Sequence, residues 1–282
     1  MKKKMLFLVM MLFIICSFNL LAKKSSGDIK LPDSTYKLLE KFSKNKEKTM
    51  EKLKTLNKDK AVKLYWEYCG ENEELLSKIT MSLKGTPEKN YKNLKKILNE
   101  YGLEFFAYST PGFFDIGLPR SFYYDMFKDY VTDVHKEYLK ILYTKEPSSD
   151  YTDDQNEFLL LVSPQELGDR IIECENFLKK YSNINDKYDY EIGWEYINYI
   201  KEYIFYTNNI KFEYENIDCI IVDKKAPNIS KKMLQEYERF IKKYPNSRVT
   251  EILKLLLQNY KDEKKCPLIW EKLNELVALY CV

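Results

Sequence analysis

The chain has 282 residues and is 45% hydrophobic, enough to bury a substantial core. Its formal charge of +3 comes from three lysines at its start: without residues 1–22, basic and acidic side chains number 43 each. The apparent pI of 8.3 is therefore no sign of nucleic-acid binding. The charge is segregated, with a balance of +7 over residues 23–100, −11 over 101–230 and +4 over 231–282, which reads as ends that dock electrostatically on an acidic middle, or as an acidic surface that meets a basic partner or a cation.

Met1-Lys2-Lys3-Lys4 precedes an uncharged apolar run to Ala22, followed by Lys23-Lys24-Ser25-Ser26. These are the parts of a secretory signal peptide over residues 1–22, cleaved near Ala22. The run is also long enough for an uncleaved anchor, the one membrane contact the sequence predicts. Cys16 offers a lipidation site, although Phe13-Ile14-Ile15 are bulkier than the residues that usually precede one. The other cysteines, Cys69, Cys174, Cys219, Cys266 and Cys281, are odd in number and scattered, unlike a disulfide framework or a zinc site. Cys266 and Cys281 flank one predicted helix and stand about 22 Å apart on it, too far to bridge. Only four of the 46 basic residues are arginine, and tyrosines number 24. Lys, Asn, Ile and Tyr share A/T-rich codons, so the tyrosine excess is read as codon bias rather than as a binding signal.

Residues 23–32 read as a flexible leader, with Asp33 as a helix N-cap. A helical region spans residues 33–144. Tyr36, Leu39 and Phe42, then Met50, Leu53 and Leu56, form one long amphipathic helix or two, across a polar stretch at 43–49. Ala61, Leu64, Tyr65 and Tyr68 make the next face, with a stop at Gly70. Leu75, Leu76, Ile79 and Leu83 follow, ending near Gly85. Thr86-Pro87-Glu88 opens a helix as cap, first residue and first-turn acid, and Gly102 closes it.

Residues 103–119 interrupt this pattern with an aromatic insert around Pro111-Gly112, a pair suited to a type II turn. They are read as a small hairpin or an extended apolar loop. Phe105, Phe106, Tyr108, Phe113 and Phe114 are the candidate partner-binding residues, against the simpler reading that they plug the end of the helical stack. Helix resumes from Phe122 to Leu142, placing Asp125, Asp129 and Asp133 on one stripe near His135. Such a stripe reads as a wet face rather than a metal site.

Residues 145–156 are a polar linker, and residues 157–282 form a C-terminal region with a duplicated stretch. Residues 173–183 (Glu-Cys-Glu-Asn-Phe-Leu-Lys-Lys-Tyr-Ser-Asn) match residues 236–246 (Glu-Tyr-Glu-Arg-Phe-Ile-Lys-Lys-Tyr-Pro-Asn) without a gap. Ser163-Pro164-Gln165-Glu166 is a capping box for the first copy, and Ser230 caps the second. Partner helices are predicted over about 190–206 and around Ile252–Tyr260, a strand-like piece over Phe212–Val222, and a last helix from Pro267 to Tyr280. The 229–260 unit, a helix ending Tyr-Pro-Asn-Ser before a second helix, resembles tetratricopeptide-like units of bacterial cell-envelope proteins; residues 164–206 resemble it more loosely. The resemblance implies a non-enzymatic helical scaffold that binds another protein.

No phosphate-cradling glycine loop or Gly-x-Ser-x-Gly elbow occurs. A Ser-His-Asp or Cys-His arrangement would have to use the lone His135, placed on a charged helix face. The sequence predicts no cofactor and no metal. It therefore predicts a mainly α chain of stacked helical hairpins in a tetratricopeptide-like arrangement, with one or two short β pieces. The predicted function is a secreted or periplasmic binding or scaffold protein. The alternatives are a secreted factor acting on a host or competitor, and an envelope glycan hydrolase, which would need two converging carboxylates.

Overall fold

The computed structural model describes residues 30–108, 112–143, 148–149, 159–181, 184, 186–204, 212–214, 220–222, 229–262, 271–272 and 275–276. The predicted signal segment, most of the predicted leader and of the expected 145–156 linker, the lipidation candidate Cys16, and Cys219, Cys266 and Cys281 lie outside them. So does most of the last predicted helix, of which Glu271–Lys272 and Glu275–Leu276 are helical.

The chain is mainly helical. In order come α1 (Asp33–Leu53), α2 (Lys58–Ser82), a 3₁₀ turn (Glu88–Asn90), α3 (Tyr91–Glu100), β1 (Glu104–Ala107), β2 (Phe114–Gly117), α4 (Phe122–Phe127), α5 (Asp133–Leu142), β3 (Ser148–Ser149), β4 (Leu159–Leu160), α6 (Pro164–Tyr181), α7 (Asp186–Ile204), β5 (Phe212–Tyr214), β6 (Ile220–Val222), α8 (Lys231–Lys243) and α9 (Arg248–Asn259). The strands form three antiparallel pairs, β1–β2, β3–β4 and β5–β6. The last answers the predicted strand piece, with Phe212 opposite Val222. The pair β3–β4 was not foreseen: two residues of the expected linker, Ser148 and Ser149, pair with Leu160 and Leu159.

Two compact units are distinguished: Met1–Asn45 with Asn72–Gly117, and Lys46–Glu71 with Leu118–Val282. Helices α1 and α2 contribute residues to both. In unit 1, Leu39 and Phe42 of α1, Leu75 and Ile79 of α2 and Leu94 and Leu98 of α3 are buried. The Thr35 hydroxyl donates to Ser82 Oγ at 3.0 Å and ties the two long helices there. In unit 2, α4 packs on α5, α5 on α6 and α7, α6 on α7 and α8, and α8 on α9.

Three sequence expectations are corrected. Gly70 does not stop a helix; α2 runs through it to Ser82. The buried positions 65, 68, 72, 75 and 79 keep one helical face unbroken, and that packing outweighs the roughly 1 kcal/mol an interior glycine costs. Thr86 is not a cap: its hydroxyl donates to the Leu83 carbonyl at 2.7 Å, and a 3₁₀ turn precedes the α-helix, which starts at Tyr91. The 122–142 segment is two helices rather than one, because Thr132 adopts extended backbone and its side chain accepts from the His135 amide as the N-cap of α5. Asp125, Asp129 and Asp133 therefore share no single helix face. The polar stretch at 43–49, by contrast, leaves α1 one uninterrupted helix.

The duplicated stretch recurs as geometry. Phe177 and Tyr181 rings lie 5.0 Å apart, and their counterparts Phe240 and Tyr244 lie 5.1 Å apart. Lys180 sits 4.6 Å over the Tyr181 ring, and Lys243 4.8 Å over the Tyr244 ring. Ser163, Ser230 and Ser247 each accept a backbone amide at the start of their helices.

Helix α6 approaches α8 closely at Gly168: a Cβ there would stand 3.1 Å from Phe240 Cδ2 and 3.3 Å from the Tyr203 ring. At Gly70 a Cβ would meet nothing within 4 Å. Helix propensity alone favours alanine at both sites by about 1 kcal/mol. Gly70→Ala should therefore raise stability by about that amount in urea denaturation. Gly168→Ala should lower it by about 1–3 kcal/mol through overpacking. A stabilising Gly168→Ala would contradict the close approach.

Candidate functional site

The aromatic insert is a hairpin. Glu104 pairs with Gly117, Phe105 with Ile116, Phe106 with Asp115 and Ala107 with Phe114. The Tyr108 amide donates to the Phe113 carbonyl at 3.1 Å, the last rung before the turn. Gly112 has φ +80°, as the second central position of a type II turn requires; Pro111 lies outside the described residues. The Gly112 amide donates to Glu88 Oε1 at 2.9 Å, which ties the turn to the 3₁₀ segment before α3.

Strand alternation splits the five candidate aromatics into two sets. Phe105 and Phe114 turn inward: their rings lie 4.9 and 5.5 Å from Tyr91 of α3 and 5.1 Å from each other. They anchor the hairpin and are not free to bind. Phe106, Tyr108 and Phe113 share the opposite face and are 45%, 58% and 64% exposed. The Phe106 ring lies across Gly117, where a Cβ would stand 2.9 Å from its Cε2. Asp115 on the same face accepts from the Thr80 hydroxyl at 3.2 Å; Met81, next in the chain, is 57% exposed. The insert is thus neither wholly a plug nor wholly a free surface.

His135 is corrected as well. It does not stand on a charged face but is buried among Tyr65, Trp66, Tyr138 and Tyr188, with the Tyr65 ring centroid 4.5 Å away. Its Nδ1 is 2.7 Å from the Tyr188 hydroxyl, and Nε2 has no polar partner among the described residues. Burial pushes its pKa down to about 3 and that of Tyr188 up to about 12, so both are neutral near pH 7. Among the described residues neither ring nitrogen shares a proton with a serine or cysteine, as a triad would require.

Ion clusters surround the few arginines. Arg120 reaches Glu195 at 3.5 Å. Burial raises the Glu195 pKa, and Arg120 and Arg170 pull it back down. Arg170 also pairs with Glu166 at 2.7 Å. Arg239 donates both Nε and Nη2 to Glu236 at 2.7 Å. Burial alone would raise the Asp169 pKa, but hydrogen bonds from Tyr244 and Lys243 outweigh it and hold it below the usual range. Asp125 pairs with Lys128 and Asp133 with Lys58, both on exposed surface. No group of three metal-ligating side chains gathers among the described residues. Cys174 is fully enclosed, and burial raises its pKa.

No family model, curated protein or solved structure matches this chain.

Because the folded state holds His135 neutral, the unfolded chain takes up a proton below about pH 6.5 while the folded one does not until about pH 3. Stability should fall across that window as pH drops, at up to about 1.4 kcal/mol per pH unit from this group. His135→Asn keeps a polar group for Tyr188 and removes the titration. Denaturation midpoints measured from pH 7 downwards should show a shallower acid slope for the variant. Equal slopes would contradict the burial of His135.

Proposed function

We propose that the chain is an exported, non-enzymatic binding protein of a bacterial cell envelope, and that its paired helical units form the scaffold on which another protein is held. The observation that carries this reading is the repetition itself: α6–α7 and α8–α9 are successive helical hairpins whose first helices carry the same Phe-Tyr-Lys arrangement. Tandem hairpins of this kind present extended surfaces built for protein contact. The tetratricopeptide-like sequence at 229–260 points the same way, and the signal-like residues 1–22 support export. No helix among the described residues is long and apolar enough to cross a membrane.

A secreted factor acting on a host or competitor is favoured by one specific feature, the exposed tip aromatics Phe106, Tyr108 and Phe113. Both readings make the chain a binding protein and differ in where the partner resides. A glycan hydrolase needs two carboxyls facing each other across a cleft. Glu195, whose pKa burial raises, is ion-paired with Arg120 and lends that reading no support.

Crosslinked pull-down of the tagged full chain from its native envelope is expected to return one envelope protein reproducibly. Return of a host or competitor protein instead would replace the envelope role with the secreted one. Capture from neither source would contradict a binding function. The N-terminus of the recovered chain, read by mass spectrometry, is expected at Lys23; an intact Met1 would contradict cleavage.

A further inference from the structure

The outer face of the β1–β2 hairpin carries charge as well as rings. Glu104, Phe106 and Tyr108 alternate along one side of it and Phe113, Asp115 and Gly117 along the other, in the pairs Glu104–Gly117, Phe106–Asp115 and Tyr108–Phe113. No basic residue is among these six. Neither carboxylate makes an ion pair among the described residues. Helix α3, with Lys92, Lys95 and Lys96, packs on the opposite face, where Tyr91 meets Phe105 and Phe114. Asp115 is held in one orientation: its Oδ1 accepts from the Thr80 hydroxyl at 3.2 Å and from the Ile116 amide at 2.9 Å, and its Oδ2 has no bond among the described residues. Phe106 stands directly opposite Asp115, a placing that sets their Cβ atoms about 5 Å apart. Phe113 precedes Asp115 on the same face by two residues, or about 7 Å. A fixed carboxylate is thus flanked by two exposed rings.

We propose that this face binds an extended, arginine-bearing segment of another protein. One guanidinium pairs with Asp115 and lies against the Phe106 and Phe113 rings. A second, two residues along the segment, pairs with Glu104. A guanidinium is planar, stacks on aromatic rings and meets a carboxylate along two bonds, so a carboxylate set between rings suits it better than it suits an ammonium. The spacing agrees. Glu104 is diagonal to Asp115 on this face, about 7–8 Å away, and residues two apart in an extended chain stand about 7 Å apart. The two carboxylates repel an anionic surface. A second copy of the chain does not fit either: its four arginines, Arg120, Arg170, Arg239 and Arg248, include no two that are two residues apart. The inference concerns unit 1 and goes beyond the scaffold reading, which rests on the helical hairpins of unit 2.

The test is fluorescence polarisation of a dye-labelled synthetic peptide, Gly-Ser-Arg-Ser-Arg-Ser-Gly, titrated with the full chain as recovered from producing cells. Saturable binding is expected, and it should weaken as salt is raised. Citrulline in place of both arginines keeps their shape, removes their charge and should lower affinity by about tenfold or more. Lysine in place of both should lower it by about fivefold. Asp115→Asn and Phe113→Ser should each lower it by about fivefold or more. Glu238→Gln, at an exposed acid of α8, should leave it unchanged. All three side chains are exposed, and circular dichroism confirms that each variant is folded. No binding, citrulline or lysine peptides that bind like the arginine peptide, or Asp115→Asn and Phe113→Ser chains that bind like the parent would overturn the proposal. So would an equal loss with Glu238→Gln, which would mark attraction to acidic surface at large. An envelope protein captured while this peptide fails to bind removes this inference and leaves the scaffold reading standing; peptide binding without any captured protein does the reverse.

Discussion

A buried tyrosine must find an acceptor for its hydroxyl, and that requirement organises unit 2. The ring contributes a large apolar area, but an unpaired hydroxyl taken out of water costs about 1–3 kcal/mol. Here the acceptors stand on neighbouring helices. Tyr138 of α5 donates to Glu191 of α7, Tyr196 of α7 to Glu175 of α6, and Tyr203 of α7 to Glu236 of α8. Tyr244, just after α8, donates to Asp169 of α6 at 2.7 Å. Glu175 Oε1 also accepts from Ser247 Oγ and the Arg248 amide, so one carboxylate oxygen links α6, α7 and the start of α9. Sliding one of these helices along another would strand a hydroxyl and a carboxylate together, which makes each tie a constraint on register as well as a source of stability.

The arginines reinforce the same logic. Where a cation must pair in a partly enclosed place, a planar guanidinium keeps its charge and matches a carboxylate along two bonds, whereas a lysine loses more by desolvation. A chain that otherwise uses lysine places Arg120, Arg170 and Arg239 at carboxylates within unit 2. Lysines supply outer pairs such as Lys140 with Glu173 and Lys180 with Glu137, which are exposed and worth little individually.

Much of this was legible in the sequence. Apolar spacing located the helices, serines marked two helix starts, and the duplicated stretch announced the paired hairpins. Other features were not, for identifiable reasons. The stripe through Tyr65, Tyr68, Leu75 and Ile79 overrides Gly70, because tertiary burial outweighs one weak helix former. His135 was misplaced because the chain breaks before it at Thr132, and a helical wheel carried through that break turns every later residue to the wrong face. In the hairpin, the doubled aromatics Phe105-Phe106 and Phe113-Phe114 leave period-two reading blind to which ring points inward. Only the pairing of Ala107 with Phe114 and the packing on Tyr91 decide it. The tyrosines, discounted in the sequence as a product of codon usage, include most of the largest fully buried side chains. Their carboxylate partners lie far away in sequence, so no local pattern could disclose them.

The claim that these ties hold unit 2 in register is tested most directly by a double-mutant cycle on Tyr196→Phe and Glu175→Gln, read by urea denaturation. The hydroxyl and carboxylate stand 2.6 Å apart, so the pair should show a coupling of about 1–3 kcal/mol, with the second substitution costing far less once the first is made. Strictly additive losses would contradict the account, since they would mean that the two groups stabilise the helices independently.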